Sequence, residues 1–256
     1  MKITINAPSY KRPNKVDTLK YLPSARIWVD EGEFGEYKKS YPDSDIVSCP
    51  KGIQGNLCRI RNYILDQEEK SGTDVVALID DDLKLIGYNE GLKFYVLPDE
   101  DRVMQFLEKY SILAMDLGAK LWGINVNHDP QNYREYTPFS LLSYIGGPFM
   151  VHIHSDLRYD ERLPLKEDYD LTLQHLNKYR KVLRVNKYFY NVKQHAQAGG
   201  CADYRTLERE KAQVKLLQKK WGSKIVKADL VDRSHRSRKR RTIDINPVIR
   251  VPIRGI

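Results

Sequence analysis

The stretch "DVVALIDDDLKLI", residues 74–86, constrains this chain more than any other. The apolar run from Val75 to Ile79 leaves no side for water, so it reads as a strand covered on both faces, within a sheet that has helices above and below. It ends in Asp80, Asp81 and Asp82. Three like charges at the end of a buried strand repel one another unless they cap a turn or hold a cation. In extended backbone, residues two apart share a side, so Asp80 and Asp82 are expected to converge while Asp81 turns away. Two convergent carboxylates make half a site for Mg²⁺ or Mn²⁺, hard ions that prefer oxygen ligands and often complete their shells with phosphates.

The flanking pattern fits such a sheet. "KITINAPSY", "ARIWVD" and "DIVSCP" read as three early strands, closed by Pro8, Asp30 and Pro50. A helix follows from about Asn56 to Glu69, with Leu57, Ile60, Ile64 and Leu65 on one side. Another spans about Asp99 to Leu117. "KLWGINVN" and "GGPFMVHIH" are later strands, and "KEDYDLTLQHLNKY" is a further helix. Strands alternating with helices imply an α/β fold with a mostly parallel sheet flanked by helices, whose ligand sits at the carboxyl ends of the strands. The loops there are "PSYKRP", "DEGE", "PKGIQGN", "DDD" and "HAQAGG", which together supply acids, cations and glycines.

With 256 residues, 41% of them apolar, the chain can build a full core. We expect one domain over residues 1–202 and a basic helical and extended tail over 203–256 that packs on it. No apolar run approaches the roughly 20 residues of a membrane span, and "MKITIN" carries no signal-like apolar core, so a cytoplasmic location is expected. Cys49, Cys58 and Cys201 are odd in number and widely spaced, which points to reduced thiols rather than a disulfide framework.

Charge is unevenly placed. From Asp203 to Ile256 there are 16 Lys and Arg against 6 Asp and Glu, whereas residues 1–202 carry 27 against 28. Arg233, Arg236, Arg238, Lys239, Arg240 and Arg241 form the densest run. A basic tail on a neutral body suits a polyanion, nucleic acid first and an anionic membrane surface second. Within "ADYRTLEREKAQVKLLQKKW", the residues Leu207, Glu210, Val214, Leu217 and Trp221 form a seam facing the body, leaving Arg209, Lys215, Lys219 and Lys220 to face outward.

Two further segments carry chemistry. "LPLKEDYDL" places Glu167 and Asp168 in the first turn of a helix, where the dipole favours acids. Asp168 there is also a candidate general base for an acceptor hydroxyl. His195 enters the glycine-bearing "HAQAGG", whereas His152 and His154 lack the spacing of a zinc site and read as structural.

In this order the elements resemble a nucleotide-sugar-dependent glycosyltransferase of the GT-A, Rossmann-like fold, over roughly residues 1–205. Within that fold the chain is similar to the TET-associated glycosyltransferases of bacteriophages, through its "DDD", "GGPFM" and "H…GGC" segments. The resemblance implies that Pro8, Ser9, Tyr10, Arg12, Asp30, Arg61, Asp80, Asp81, Gly199 and Gly200 meet a nucleotide-sugar, with UDP the first candidate. It further implies that Asp80, Asp82 and His195 hold Mn²⁺ or Mg²⁺, and that Asp168 is the catalytic base of an inverting enzyme. The acceptor it implies is a hydroxymethylated base in DNA, bound through Arg233–Arg241, in a host cell's cytoplasm if the chain is phage-encoded. Tyr133, Tyr136, Phe139 and Tyr144 could receive a base turned out of the duplex or simply pack. The alternatives are a GT-A enzyme acting on a cell-surface glycan or protein, and a non-catalytic nucleic-acid-binding module.

Overall fold

The computed structural model describes residues 1–192, 204–228 and 245–253. The chain runs β1 (Ile3–Pro8), α1 (Thr18–Tyr21), β2 (Arg26–Asp30), α2 (Phe34–Ser40), β3 (Ile46–Cys49), α3 (Leu57–Lys70) and β4 (Val75–Ile79). There follow β5 (Leu83–Glu90), β6 (Lys93–Val96), α4 (Glu100–Asp116), β7 (Leu121–Asn125), β8 (Phe139–Ser140), β9 (Phe149–Ile153), α5 (Glu167–Tyr179) and β10 (Leu183–Val192). After these come α6 (Leu207–Trp221), β11 (Val226–Lys227) and β12 (Val248–Ile249).

The central sheet has the order β3-β2-β1-β4-β9-β7-β10-β5-β6, with β8 beside β10. It is largely parallel: β1, β2, β3 and β4 run together, and β7 and β10 pair parallel to each other. β9 is inserted antiparallel to both β4 and β7. That reversal positions the site, because the segment entering β9 starts at the end of the sheet where β4 finishes. Asp80 N donates to Pro148 O at 3.3 Å across this junction.

Every residue of β4 is buried, as its composition requires. Alternation sends Val75, Ala77 and Ile79 into one apolar cluster, with α4 residues Val103, Phe106 and Leu107, and Val76 and Leu78 into the other, with Ile60 and Ile64 of α3 and Leu171 of α5. Local chemistry sets the helix starts. Asn56 accepts from Cys58 N and Arg59 N at the head of α3, and Asp99 accepts from Arg102 N at the head of α4, caps of about 1 kcal/mol each. The short α1 and α2 and the β5–β6 hairpin were not foreseen; four to seven residues is too short for helical periodicity to stand out.

α6 docks against α5 through polar contacts as well as its apolar seam. Lys166 Nζ lies 2.7 Å from Glu210 Oε2, with both side chains buried. Asp170, fully buried, accepts from Trp221 Nε1 at 2.7 Å and from Lys220 Nζ at 2.9 Å. Lys220 therefore faces inward, contrary to expectation, because a buried carboxylate on α5 requires a cation. Among the described residues no helix is long and apolar enough to cross a membrane.

Candidate functional site

A cleft opens at the carboxyl end of the sheet, lined by Pro8, Tyr10 and Arg12 from the loop after β1, by Asp80, Asp81 and Asp82, by the segment Gln54–Leu57 with Ile60, and by Tyr204. The strand ends at Ile79, and Asp81 and Asp82 already belong to a turn. Strand alternation therefore no longer applies, and all three aspartates reach the same cleft.

Their environments nevertheless differ. Asp81 is buried and acts as a tie: Ser9 Oγ donates to its Oδ2 at 2.5 Å and Arg12 Nη1 lies 2.9 Å from its Oδ1. Burial pushes its carboxyl up to about 6, against the opposing pull of Arg12 and Ser9. Ser9 stands behind the cleft, bonded also to Tyr37 Oη at 2.9 Å and, through its backbone N–H, to Trp28 O. Thr18 of α1 fastens the turn from below, donating from Oγ1 to Asp80 O at 2.7 Å and accepting from Leu83 N at 3.0 Å. Gln54, which sequence reading passed over, donates to Trp28 O and Ser9 O and locks the two early strand ends together.

Asp80 Oδ1 accepts from Arg61 Nη2 at 2.9 Å. Arg61 is itself buried and also donates to Gly147 O and to Glu167 Oε1 at 3.1 Å. It stands behind Asp80 rather than on the cleft wall. Asp82 differs from both neighbours, because its Oδ1 is buried with no hydrogen-bond partner. Burial, then the charges of Asp80 and Asp81, push its carboxyl up to about 8. A buried carboxylate oxygen without a donor, beside two more acids, is what a cation would satisfy. Asp80 and Asp82 are the carboxylates at this turn that could hold a divalent ion. Among the described residues no three His, Cys, Asp or Glu side chains come together as a set that could hold a metal ion. His195, Gly199 and Gly200 lie outside the described residues, as do Arg233, Arg236, Arg238, Lys239, Arg240 and Arg241.

Asp30 ends β2 and accepts from Gly32 N at 3.0 Å, closing its own turn away from the cleft walls. His152 is buried, with Nε2 3.1 Å from Tyr159 Oη, and His154 is exposed, so the pair does not converge. Of the tyrosine-rich loop, Tyr136 is exposed and Tyr144 turns inward.

Asp168 sits at the start of α5, where Gly147 N donates to its Oδ2 at 3.0 Å and Tyr144 Oη donates to the same oxygen. Glu167 beside it is pushed up by burial and by Asp168, against the pull of Arg61. Gly147 is the junction of this cluster: a Cβ there would lie 3.1 Å from Glu167 Oε1, 3.2 Å from Asp168 Oδ2 and 3.3 Å from Arg61 Nη1. From sequence, Glu167 and Gly147 have no site role, and Tyr144 stands only as an aromatic that could receive a flipped base or pack. Nothing in their local spacing shows that β9 and α5 meet.

An acid turn on the cleft, backed by an arginine that ties it to a second acidic helix start, suits transfer from a phosphate-bearing donor. The model of one family, TET-Associated Glycosyltransferase, matches residues 3–200. The chain belongs to the TET-associated glycosyltransferase family. This TET-associated glycosyltransferase is accordingly an enzyme, which removes the non-catalytic alternative, and its family implies a nucleotide-sugar donor and an acceptor. No curated protein matches it. Among solved structures it is similar to A197 from STIV, at 10% identity and TM-score 0.39, over 75% of this chain and 85% of that one. It is similar at the same identity and TM-score to CMP:2-keto-3-deoxy-manno-octonic acid synthetase complexed with CTP, over 86% of this chain and 100% of that one. At such similarity neither structure bears on residue roles.

Proposed function

We propose that the protein transfers a sugar from a nucleotide-diphosphate donor, UDP the first candidate, to the hydroxyl of a hydroxymethylated base in DNA. The observation that carries the donor half is the unpartnered, buried Asp82 Oδ1 beside Asp80 in the cleft. Asp80 and Asp82, with His195, would hold Mn²⁺ or Mg²⁺, which when bound offsets charge on a departing diphosphate. Arg61 fixes Asp80 from behind through a 2.9 Å contact, and Arg12, tied to Asp81, borders the same cleft. Cations placed before the reaction stabilise developing charge without reorganisation.

Asp168 takes the acceptor proton. As the acceptor oxygen bonds to the anomeric carbon, the bond from that carbon to the diphosphate oxygen breaks, the electron pair leaves with the diphosphate, and the proton moves to the Asp168 carboxylate. This is an inverting displacement. Support for DNA as acceptor comes from the charge of residues 203–256 and from the family's association with TET enzymes in its name.

Purified protein with UDP-sugars and Mn²⁺ tests the donor half. Asp82→Ala should lose divalent-dependent release of UDP by about 100-fold or more. Unchanged turnover in that variant would remove the metal assignment. Hydroxymethylated DNA and free glycans offered in parallel, followed by mass measurement, test the acceptor. Label on glycans alone would replace DNA with the cell-surface alternative.

A further inference from the structure

The carboxylate of Asp168 is held from outside its own helix. Tyr144, in the segment leading to β9, donates its hydroxyl to Oδ2, and Gly147 N donates to the same oxygen at 3.0 Å. The Tyr144 ring stacks on that of Tyr169, with centroids 4.2 Å apart and planes 16° from parallel. The next residue, Ile145, is buried and donates its backbone N–H to Thr172 Oγ1 at 3.3 Å, one turn further along α5. A β-carbon at Gly146 would lie 2.5 Å from Tyr190 Oη, so the backbone there is pressed against β10. Tyr144 is thus fixed by a stack, by its neighbours and by the bond it makes.

We propose that Tyr144 is a positioning residue for the transfer reaction, which with Gly147 N fills Asp168 Oδ2 so that Oδ1, which accepts from Tyr169 N at 2.8 Å and keeps a second lone pair, is presented to the acceptor hydroxyl. The inference rests on the reading of Asp168 as base. A hydrogen bond donated to the charged form of a carboxyl favours that form, and an oxygen with two donors has little capacity left for a third partner.

Other charges face Asp168 from every side. Glu167 on α5 and Arg61 on α3 interact electrostatically with it, and Asp80 at the end of β4 acts together with it on Tyr190. Tyr159 and Tyr190 stand nearby with their phenols pushed up, in each case by burial first. Tyr144 is raised in the same way, by burial and then by Asp168, so it remains a donor throughout the range in which the enzyme can be assayed. Loss of the Tyr144 bond removes one of the two donors on Oδ2 and leaves Gly147 N.

The test is Tyr144→Phe, which keeps the ring and its stack, with sugar transfer measured across about pH 5 to 9. The expected result is a donor KM within about twofold of the parent, kcat lower by about 10- to 100-fold near neutrality, and an acid limb displaced upward by about one pH unit, so that rate recovers as pH rises. A loss that is uniform across pH, or no loss, overturns the proposal, since a merely structural tyrosine would not move the limb. Tyr144→Leu, which also loses the stack, should show the same displacement together with a lower melting temperature. Asp168→Asn separates the two levels of the argument. If it retains transfer, the base assignment fails and the role of Tyr144 falls with it. If it abolishes transfer while Tyr144→Phe leaves the acid limb in place, only the inference about Tyr144 fails.

Discussion

Glu210→Ala should destabilise this protein more than almost any change far from the cleft. The Glu210 side chain is fully buried and lies 2.7 Å from Lys166 Nζ, whose side chain is 4% exposed. Glu210 Oε2 also accepts from Ile245 N at 3.2 Å, and Arg205 Nε lies 3.6 Å from its other oxygen. Truncation leaves a buried ammonium without its carboxylate, a loss of about 3–5 kcal/mol. For a domain of this size that corresponds to a melting temperature lower by roughly 10 °C. The pair itself contributes far less than this, because desolvating both ions offsets most of their attraction. The double variant Lys166→Met with Glu210→Leu should therefore lie within about 1–2 kcal/mol of the parent, well above either single variant. Urea melts of the parent, both single variants and the double complete the cycle. If the double variant is as unstable as the sum of the singles, or if Glu210→Ala costs under about 1 kcal/mol, the buried-pair argument is wrong. The outcome has a functional side, since Lys166 immediately precedes Glu167 and Asp168, and melting of α6 would release the start of α5.

Two further outcomes follow from the geometry. His175 donates from Nδ1 to Leu171 O at 2.9 Å, so Nε2 accepts from Ser155 Oγ, and burial lowers its pKa to about 4. Because the folded value lies below the unfolded one, the stability it contributes is complete above about pH 6.5 and is lost as pH falls toward 4, by about 3 kcal/mol at most. Buried His152, also lowered, adds to that slope, and chemical melts from pH 7 to pH 4 should flatten in His175→Gln. Gly147→Ala should lower transfer by about 10-fold or more with the fold retained, since its Cβ crowds Glu167, Asp168 and Arg61 together. Normal activity in that variant would show that the cluster gives way without consequence.

Much of the fold could be read from local pattern. α3, α4 and α5 fall within a residue or two of their expected limits, because each has a capping or acidic first turn and an apolar stripe. The uninterrupted apolar run of β4 announced a strand buried on both faces, and the three aspartates announced where it stops. What could not be read was the direction of β9. Its apolar residues fit a strand in either sense, and only tertiary pairing turns it antiparallel, which brings Gly147 and Tyr144 to α5.

The sequence by itself determined the longer helices and most strands of the sheet, which loops gather acids and glycines, and the family whose motifs stand in that order. Those properties live in periodicity and local spacing. Only the tertiary structure decided how like residues divide their work. Asp81 is drawn to Arg12, 69 positions away, and Asp80 to Arg61, while Asp82 keeps an oxygen with no partner. Lys220, read as a surface cation, is turned inward by Asp170 from 50 positions away. A carboxylate is the same group at each place until burial and its neighbours set its charge and its partner. Those neighbours come from elements that meet only when the chain folds.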